Sequence, residues 1–425
     1  MSSPATRFGR RRRAGWRLAA LSVVASVGFA SCGSATKSGD RIAGKTLTVY
    51  ASVPLHGASS VNGQAVLDGA TLALAQLHGR IGKYRLLLRP LDDSTAHRRE
   101  WDPGQTTVNA RVASADKTTI GYIGEFNSGA SAISIPLLNR AGIPQISPAS
   151  TAVGLTSGTG GADPGEPQKY YPTMIRTFAR VVPSDSVEAA VQVKLQKSLG
   201  CTKTFVLDDN EVDGADTASS FSFAAHAAGL HVASVQAYDP VATDYTSLAR
   251  SVATSGADCV LVSAITESHA ALLTRELAAA LPRARFFGTA GVAESTYTDP
   301  FQGGIPLALD RRVMVTVATL PRADYPAAGQ AFYAAYTRRY GPPEPYAIFG
   351  YEAMGLLLDA IRRGTRDGRA PAVRSGVVTA LFATRERSGA IGSYGIDRDG
   401  DTTLRRYGVY RIVDGRLSFW RAIST

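Results

Sequence analysis

The sequence is poor in the residues on which most metal and nucleophile chemistry rests. It has three cysteines and six histidines in 425 residues. The histidines are scattered, with no HExxH pair and no Cys/His cluster, so the spacing that holds a zinc ion is missing. Asp397, Asp399 and Asp401 alternate, but Gly400 stands at the wrong offset for an EF-hand loop. No G-x-S-x-G elbow and no G-x-G-x-x-G occurs, so catalysis has no local signature and neither a cofactor nor a metal is expected. Beyond the first forty residues no run of 18 or more apolar residues offers a membrane span.

Positive charge is abundant but unevenly placed. Lys and Arg number 46 against 35 acids. Six of the arginines, Arg7, Arg10 to Arg13 and Arg17, fall within the first 31 residues, which hold no acid. Without that segment the net charge drops from +11 to +5. No basic patch with interleaved aromatics remains, so no nucleic acid is expected as a partner. After the arginines come a short apolar core, Leu18 to Phe29, and then Phe29-Ala30-Ser31-Cys32-Gly33. Twelve residues cannot cross a bilayer core that needs a helix of about 20, so residues 1–31 read as an export signal peptide. The tetrapeptide ending at Cys32 resembles a bacterial lipobox with Phe29 in place of the usual leucine. That resemblance implies lipidation of Cys32, a membrane anchor and an extracytoplasmic location. Residues 32–44 are small and polar, and read as a tether.

The rest of the chain is organised around residues 118–151. The apolar run Ile120 to Ile123 ends at Gly124, and Asn127-Ser128-Gly129 then suits a helix start. Apolar residues recur at Ala130, Ile133, Leu137, Leu138 and Ala141 before Gly142 and Pro144 stop the helix. A second strand, Gln145-Ile146-Ser147, ends at Pro148-Ala149-Ser150-Thr151. Strand, helix, strand with small hydroxylated residues past each strand end is the ligand-bearing edge of an open parallel sheet. An anion there would gain about 0.3–2 kcal/mol from the helix dipole and about 1.5–3 kcal/mol per charge-assisted hydrogen bond. Ser128 is equally well read as a simple helix cap.

Strands over 47–51, 84–91 and 120–123 alternate with helices near 66–77, 106–116 and 130–141. After a Gly- and Pro-rich loop at 154–171 the alternation restarts, with strands at 204–208, 231–238, 259–264, 284–289 and 312–320 and helices at 215–228, 245–255, 267–281, 327–340 and 346–363. Asp399-Gly400 and Asp414-Gly415 read as hairpin turns. The pattern predicts α/β architecture with two doubly wound parallel sheets. Cys201 and Cys259 each stand at the amino end of a strand, and the usual 2-1-3 order makes those strands neighbours, so a disulfide is expected.

Several segments in order carry a family resemblance: Pro54-Leu55-His56-Gly57 with Gly63-Gln64, Ser128-Gly129-Ala130, Ala141 to Pro144 running into Ile146 to Ala149, Arg180 to Asp185, and Tyr407 to Gly415. Together they resemble the type I periplasmic-binding-protein-like family, in its Leu/Ile/Val-binding class of ABC-transporter substrate-binding proteins. The resemblance implies two lobes joined by a three-segment hinge: residues 45–178 with 320–386, and 179–319 with 387–425. It also implies a small-molecule ligand in the interlobe cleft, an ABC-transporter permease as partner, no enzymatic activity and a monomer. A surface receptor that senses the same ligand is the alternative. In amino-acid-binding members the first lobe grips the ligand's carboxylate and ammonium through positions matching Ser128, the Ala149 backbone and Thr151, and the adjoining Gly129 and Ser150 are expected at the ligand with them. In the second lobe an acid serves the ammonium in a Gly-x-Glu-Gly segment. Here that segment reads Gly288-Thr289-Ala290-Gly291, so Ala290 replaces the acid beside Thr289, and Asp213 stands where those members have an aromatic. Either Asp213 supplies the missing charge or the ligand lacks an α-ammonium. Asp213 is equally well read as a turn residue before a helix.

Overall fold

The structure, a computed structural model, describes residues 40–425. The signal segment and Cys32 lie outside the described residues. Two sheets carry the fold. The first uses β1 (Thr46–Val53), β2 (Arg80–Ile81), β3 (Tyr84–Asp92), β4 (Thr119–Ile123), β5 (Gln145–Ser147) and β6 (Phe178–Arg180) in the order β2-β3-β1-β4-β5-β6. All its pairings are parallel except β2 with β3. Every residue of β4 is buried, and only Thr46 of β1 is not. Such unbroken apolar strands belong to a sheet covered on both faces.

The second sheet uses β7 (Lys203–Asp208), β8 (His231–Ala237), β9 (Cys259–Ser263), β10 (Arg285–Gly288) and β11 (Val313–Val317). A hairpin, β12 (Arg387–Gly389) with β13 (Gly392–Tyr394), stands apart, and β14 (Arg406–Val413) with β15 (Arg416–Ser424) completes the sheet as β15-β14-β11-β10-β9-β7-β8. The β7-to-β11 part is parallel, and β14 and β15 are antiparallel additions turned at Asp414-Gly415. The order β8-β7-β9 sets Cys201 beside Cys259, with Cα atoms 5.9 Å apart and a disulfide between them.

Helices α1 (Ser60–Gln76), α2 (Pro103–Ala115) and α3 (Ser128–Arg140) connect strands of the first sheet, α4 (Asp185–Ser198) leads from β6 to β7 of the second, and α5 (Val212–Ala228), α6 (Thr246–Thr254) and α7 (Ala270–Ala280) connect strands of the second. The short α8 (Ser295–Thr298) precedes α9 (Ala327–Tyr340), α10 (Ala347–Gly364) and α11 (Arg374–Phe382). α10 lies on α1 at close range: a Cβ on Gly350 would stand 2.2 Å from the Val66 carbonyl oxygen. Because that oxygen is backbone, Gly350→Ala is expected to destabilise the protein by about 1–3 kcal/mol, read as a shift in urea midpoint with unchanged slope.

Six elements have no counterpart in the sequence pattern: β2, β6, α4, α8, α11 and the β12-β13 hairpin. The hairpin packs on the first sheet's helices, through Arg387 Nε, the Ala390 N–H and the Tyr394 hydroxyl, all donating to Glu352 of α10. It thus sides with residues 45–178 and 320–386 rather than with 179–319. Gly39 to Thr46 carries the spacing of a phosphate-binding loop, which the sequence reading passed over; among the described residues Thr46 opens β1 and no helix follows directly, so the strand-loop-helix context of such a loop is missing.

Candidate functional site

Strands β1, β4 and β5 run into loops at the edge where α1 and α3 begin, and the second sheet presents the loop before α5 and the loops after β9 and β10. Between them lies a small cavity of 30 Å³, room for a water molecule rather than an amino acid. Ser128, Ala149 and Thr151 line one side, and Asp213, Ala290 and Glu294 the other.

Asn127 is the residue before α3, yet its side chain makes no capping bond. The Ser128 hydroxyl does not cap the helix either. It accepts from the Thr151 and Ala152 N–H groups, at 3.1 and 3.2 Å, and donates to Asp213 Oδ1 at 3.1 Å. Thr151 Oγ1 donates to the same Asp213 oxygen at 2.7 Å. Asp213 is therefore more than a turn residue. Its carboxylate sits on the two hydroxyls that the sequence pattern reserved for a ligand's carboxylate, so the gap beside Ser128 is filled largely by the chain's own side chain.

The arrangement repeats along the cleft. Glu267 accepts from the Ser59 N–H at 2.6 Å and its hydroxyl at 3.0 Å, ahead of α1. Asp216, one turn after Asp213, accepts from the Val153 N–H at 2.9 Å and the Gly154 N–H at 3.3 Å. Glu294 accepts from Asn62 Nδ2 at 3.2 Å. Four acids of the second sheet's side thus meet hydroxyls and N–H donors of the first, in part at helix starts where anions are favoured.

The polar groups of the other expected site residues turn elsewhere, although Ala149 lines the cavity. Ser150 is fully buried, with its hydroxyl shared with Ser131 at 2.8 Å and donated to the Glu125 carbonyl at 3.1 Å. The Ala149 N–H donates to Ser147 Oγ at 3.1 Å. Gly129 lets Trp101 approach, since a Cβ there would stand 2.6 Å from the indole. Thr289 is buried behind Ala290, and its hydroxyl has no partner.

Behind Thr151 lies Arg180, with no side-chain exposure. It donates from Nε to Asp401 at 2.7 Å, from one terminal nitrogen to the Ser150 and Ala152 carbonyls at 3.3 and 2.7 Å, and from the other to Thr156 Oγ1 at 2.6 Å. The cleft's acids face low-dielectric protein. Desolvation raises Asp213 and Asp185, pushes Glu188 and Glu294 up to about 8 and Asp216 up to about 6. An acid whose folded value exceeds its unfolded one binds more protons when folded, so its contribution is full below about 4.5 and is lost as pH rises through about 8. The thermal midpoint is accordingly expected to fall between pH 5 and pH 8.5, and Glu294→Gln to flatten that fall, as scanning calorimetry would record.

Glu294, Glu267, Asp216 and Arg180 were not singled out from sequence. The i, i+3 spacing of Asp213 and Asp216, which puts both on one face of a first helical turn, was a legible signal for one of them.

A family model described as periplasmic binding protein matches residues 46–416. Comparison with curated proteins finds no match. Among solved structures, a leucine binding protein LivK from Thermotoga maritima is 20% identical with a TM-score of 0.76, covering 89% of this chain and 99% of that one. The branched-chain amino acid transporter substrate binding protein LivJ from Streptococcus pneumoniae, in complex with isoleucine, is 17% identical with a TM-score of 0.71, covering 90% and 99%. A solute binding protein of an ABC transporter from Rhodopseudomonas palustris, in complex with p-hydroxybenzoic acid, is 15% identical with a TM-score of 0.73, covering 89% and 97%. Each is named as a binding protein, and none as an enzyme. The two-sheet α/β fold is theirs, and this chain belongs to the periplasmic binding protein family.

Proposed function

We propose that the protein is an extracytoplasmic, lipid-anchored solute-binding protein that captures a small polar solute between two lobes and delivers it to an ABC permease. The observation that carries this reading is the family's two-sheet fold over residues 46–416, with acids of one side meeting hydroxyls and N–H groups of the other along a seam that opening would expose to a solute. The lobes are residues 45–178 with 320–386, and 179–319 with 387–425, the 387–394 hairpin moving with the first. Opening would bend the chain where it crosses between them, just after β6, after β11 and after β13. Binding then favours closure by the difference in a solute's affinity for the two states. Solutes named for the similar proteins, leucine, isoleucine and p-hydroxybenzoic acid, set the size class to screen.

Calorimetric titration of the purified protein against amino acids, amides, amines and small carboxylates tests the reading. Saturable binding of one solute, abolished by Ser128→Trp, is the expected result, and silence across the panel contradicts it. The anchor has its own test. Expressed in a bacterium, the wild-type chain should fractionate with membranes and Cys32→Ala should move to the soluble fraction. An unchanged distribution would remove the lipid from the account. Among the described residues no helix is long and apolar enough to cross a membrane.

A further inference from the structure

The first lobe's hydroxyls, which would receive a ligand carboxylate, already hold Asp213. A carboxylate entering there would have to expel that side chain and would meet further acids: Glu294 on the cavity wall, with Asp185, Glu188 and Asp216 close to Asp213. The buried cation nearby, Arg180, has its nitrogens committed to Asp401, two carbonyls and Thr156. A ligand carboxylate set beside the Asp213 carboxylate is disfavoured in a site of low dielectric, whereas a cation there draws Glu294 and Glu188, both pushed up to about 8, toward their charged forms.

Acceptors without a donor lie on the cavity wall and behind it. Asn127 lines the cavity and its buried Oδ1 receives no hydrogen bond. Asp185 is fully buried, and neither of its carboxylate oxygens has a donor. Phe126 and Tyr346 form an edge-to-face pair on the same wall, with centroids 5.0 Å apart. Ammonium and guanidinium groups carry several donors and no acceptor, and aromatic faces attract them. Unpaired acceptors, acids and aromatic faces together therefore complement one chemical class.

Resting on the solute-binding reading above, we propose that the cleft takes an organic cation without a carboxylate, an amine or guanidine, held between Asp213 and Glu294 against Phe126 and Tyr346. Asp213 stays on Ser128 and Thr151 and offers its other oxygen to the ligand. The site thereby discriminates against α-amino acids as well as against plain carboxylates.

The test titrates the purified protein with putrescine, agmatine and choline in one arm, and with leucine and 4-hydroxybenzoate in the other. At least one cation is expected to bind at least tenfold more tightly than either carboxylate. Asp213→Asn and Glu294→Gln should each weaken it tenfold or more, with the fold of each variant checked by circular dichroism; if one fails to fold, the other decides. Tighter binding of leucine or 4-hydroxybenzoate overturns this proposal and leaves the solute-binding reading standing. Cation binding indifferent to both substitutions overturns it too, by putting the cation elsewhere. No binding in either arm overturns this proposal, and the solute-binding reading is then decided by the wider panel.

Discussion

Replacing Arg180 with alanine is expected to destabilise the protein by about 2–5 kcal/mol, the cost of the cavity left by a fully buried side chain together with the lost bonds to Asp401, two carbonyls and Thr156. The guanidinium has no side-chain exposure and ties three pieces of chain together: strand β6, the turn at Asp401, and the loop that presents Thr151. Its loss removes the anchors of the Ser150 and Ala152 carbonyls, so the Thr151 hydroxyl should no longer be held toward Asp213. Equilibrium denaturation in urea measures the loss. Arg180→Lys should recover only part of it, because an ammonium cannot span acceptors that the planar fork meets on both edges. A destabilisation below 1 kcal/mol would mean that the bonds drawn to this side chain contribute little.

The second large effect concerns the disulfide. Cys201 and Cys259 close a loop of 58 residues, and chain-entropy arguments for such a loop give about 4 kcal/mol, with typical measured losses of 2–4 kcal/mol. The bridge ties the amino ends of β7 and β9, far from the cleft edge at their carboxyl ends. Replacing both cysteines with serine should therefore lower the thermal midpoint without changing solute affinity. A thiol reductant should lower the wild-type midpoint toward that of the variant and leave the variant unmoved. Equal midpoints would assign the bridge no role in stability.

Most of the fold was legible because parallel strands buried on both faces leave continuous apolar runs, and helices covering them repeat at helical spacing. β1, β4, β7 and β9 declare themselves in this way, and the half-exposed β3 by its apolar run Leu86-Leu87-Leu88. α4 did not, because its buried face is partly polar: Glu188, Gln192 and Gln196 point inward to satisfy the Ala290 N–H, the Gly288 carbonyl and the Thr204 hydroxyl. Such residues erase an apolar stripe although they pack as core. β6 escaped notice because three residues, one of them a buried arginine, make no pattern. The hairpin at 387–394 is set by Glu352, more than thirty residues away, which local spacing does not reveal.

The site was legible in half. Ser128 and Thr151 follow strand ends and could be picked out, and Asp213 stood out against the family pattern. What the sequence did not reveal is that these three meet. Ser128 and Asp213 are 85 residues apart, and their contact depends on the placement of one sheet against the other. Ser150 was selected for its neighbourhood, yet residues in an extended loop alternate in direction, and its hydroxyl turns into the protein.

The central claim is that the two lobes open and close over Asp213. Pulsed electron resonance between spin labels at His97, exposed in the loop before α2, and Ala215, exposed in the first turn of α5, reports it most directly. A short distance in the wild type, lengthening by several ångström when Asp213→Ala removes its bonds to Ser128 and Thr151, is the result expected. One narrow distance, unmoved by that substitution and by every solute added, would show a single rigid body and contradict the account.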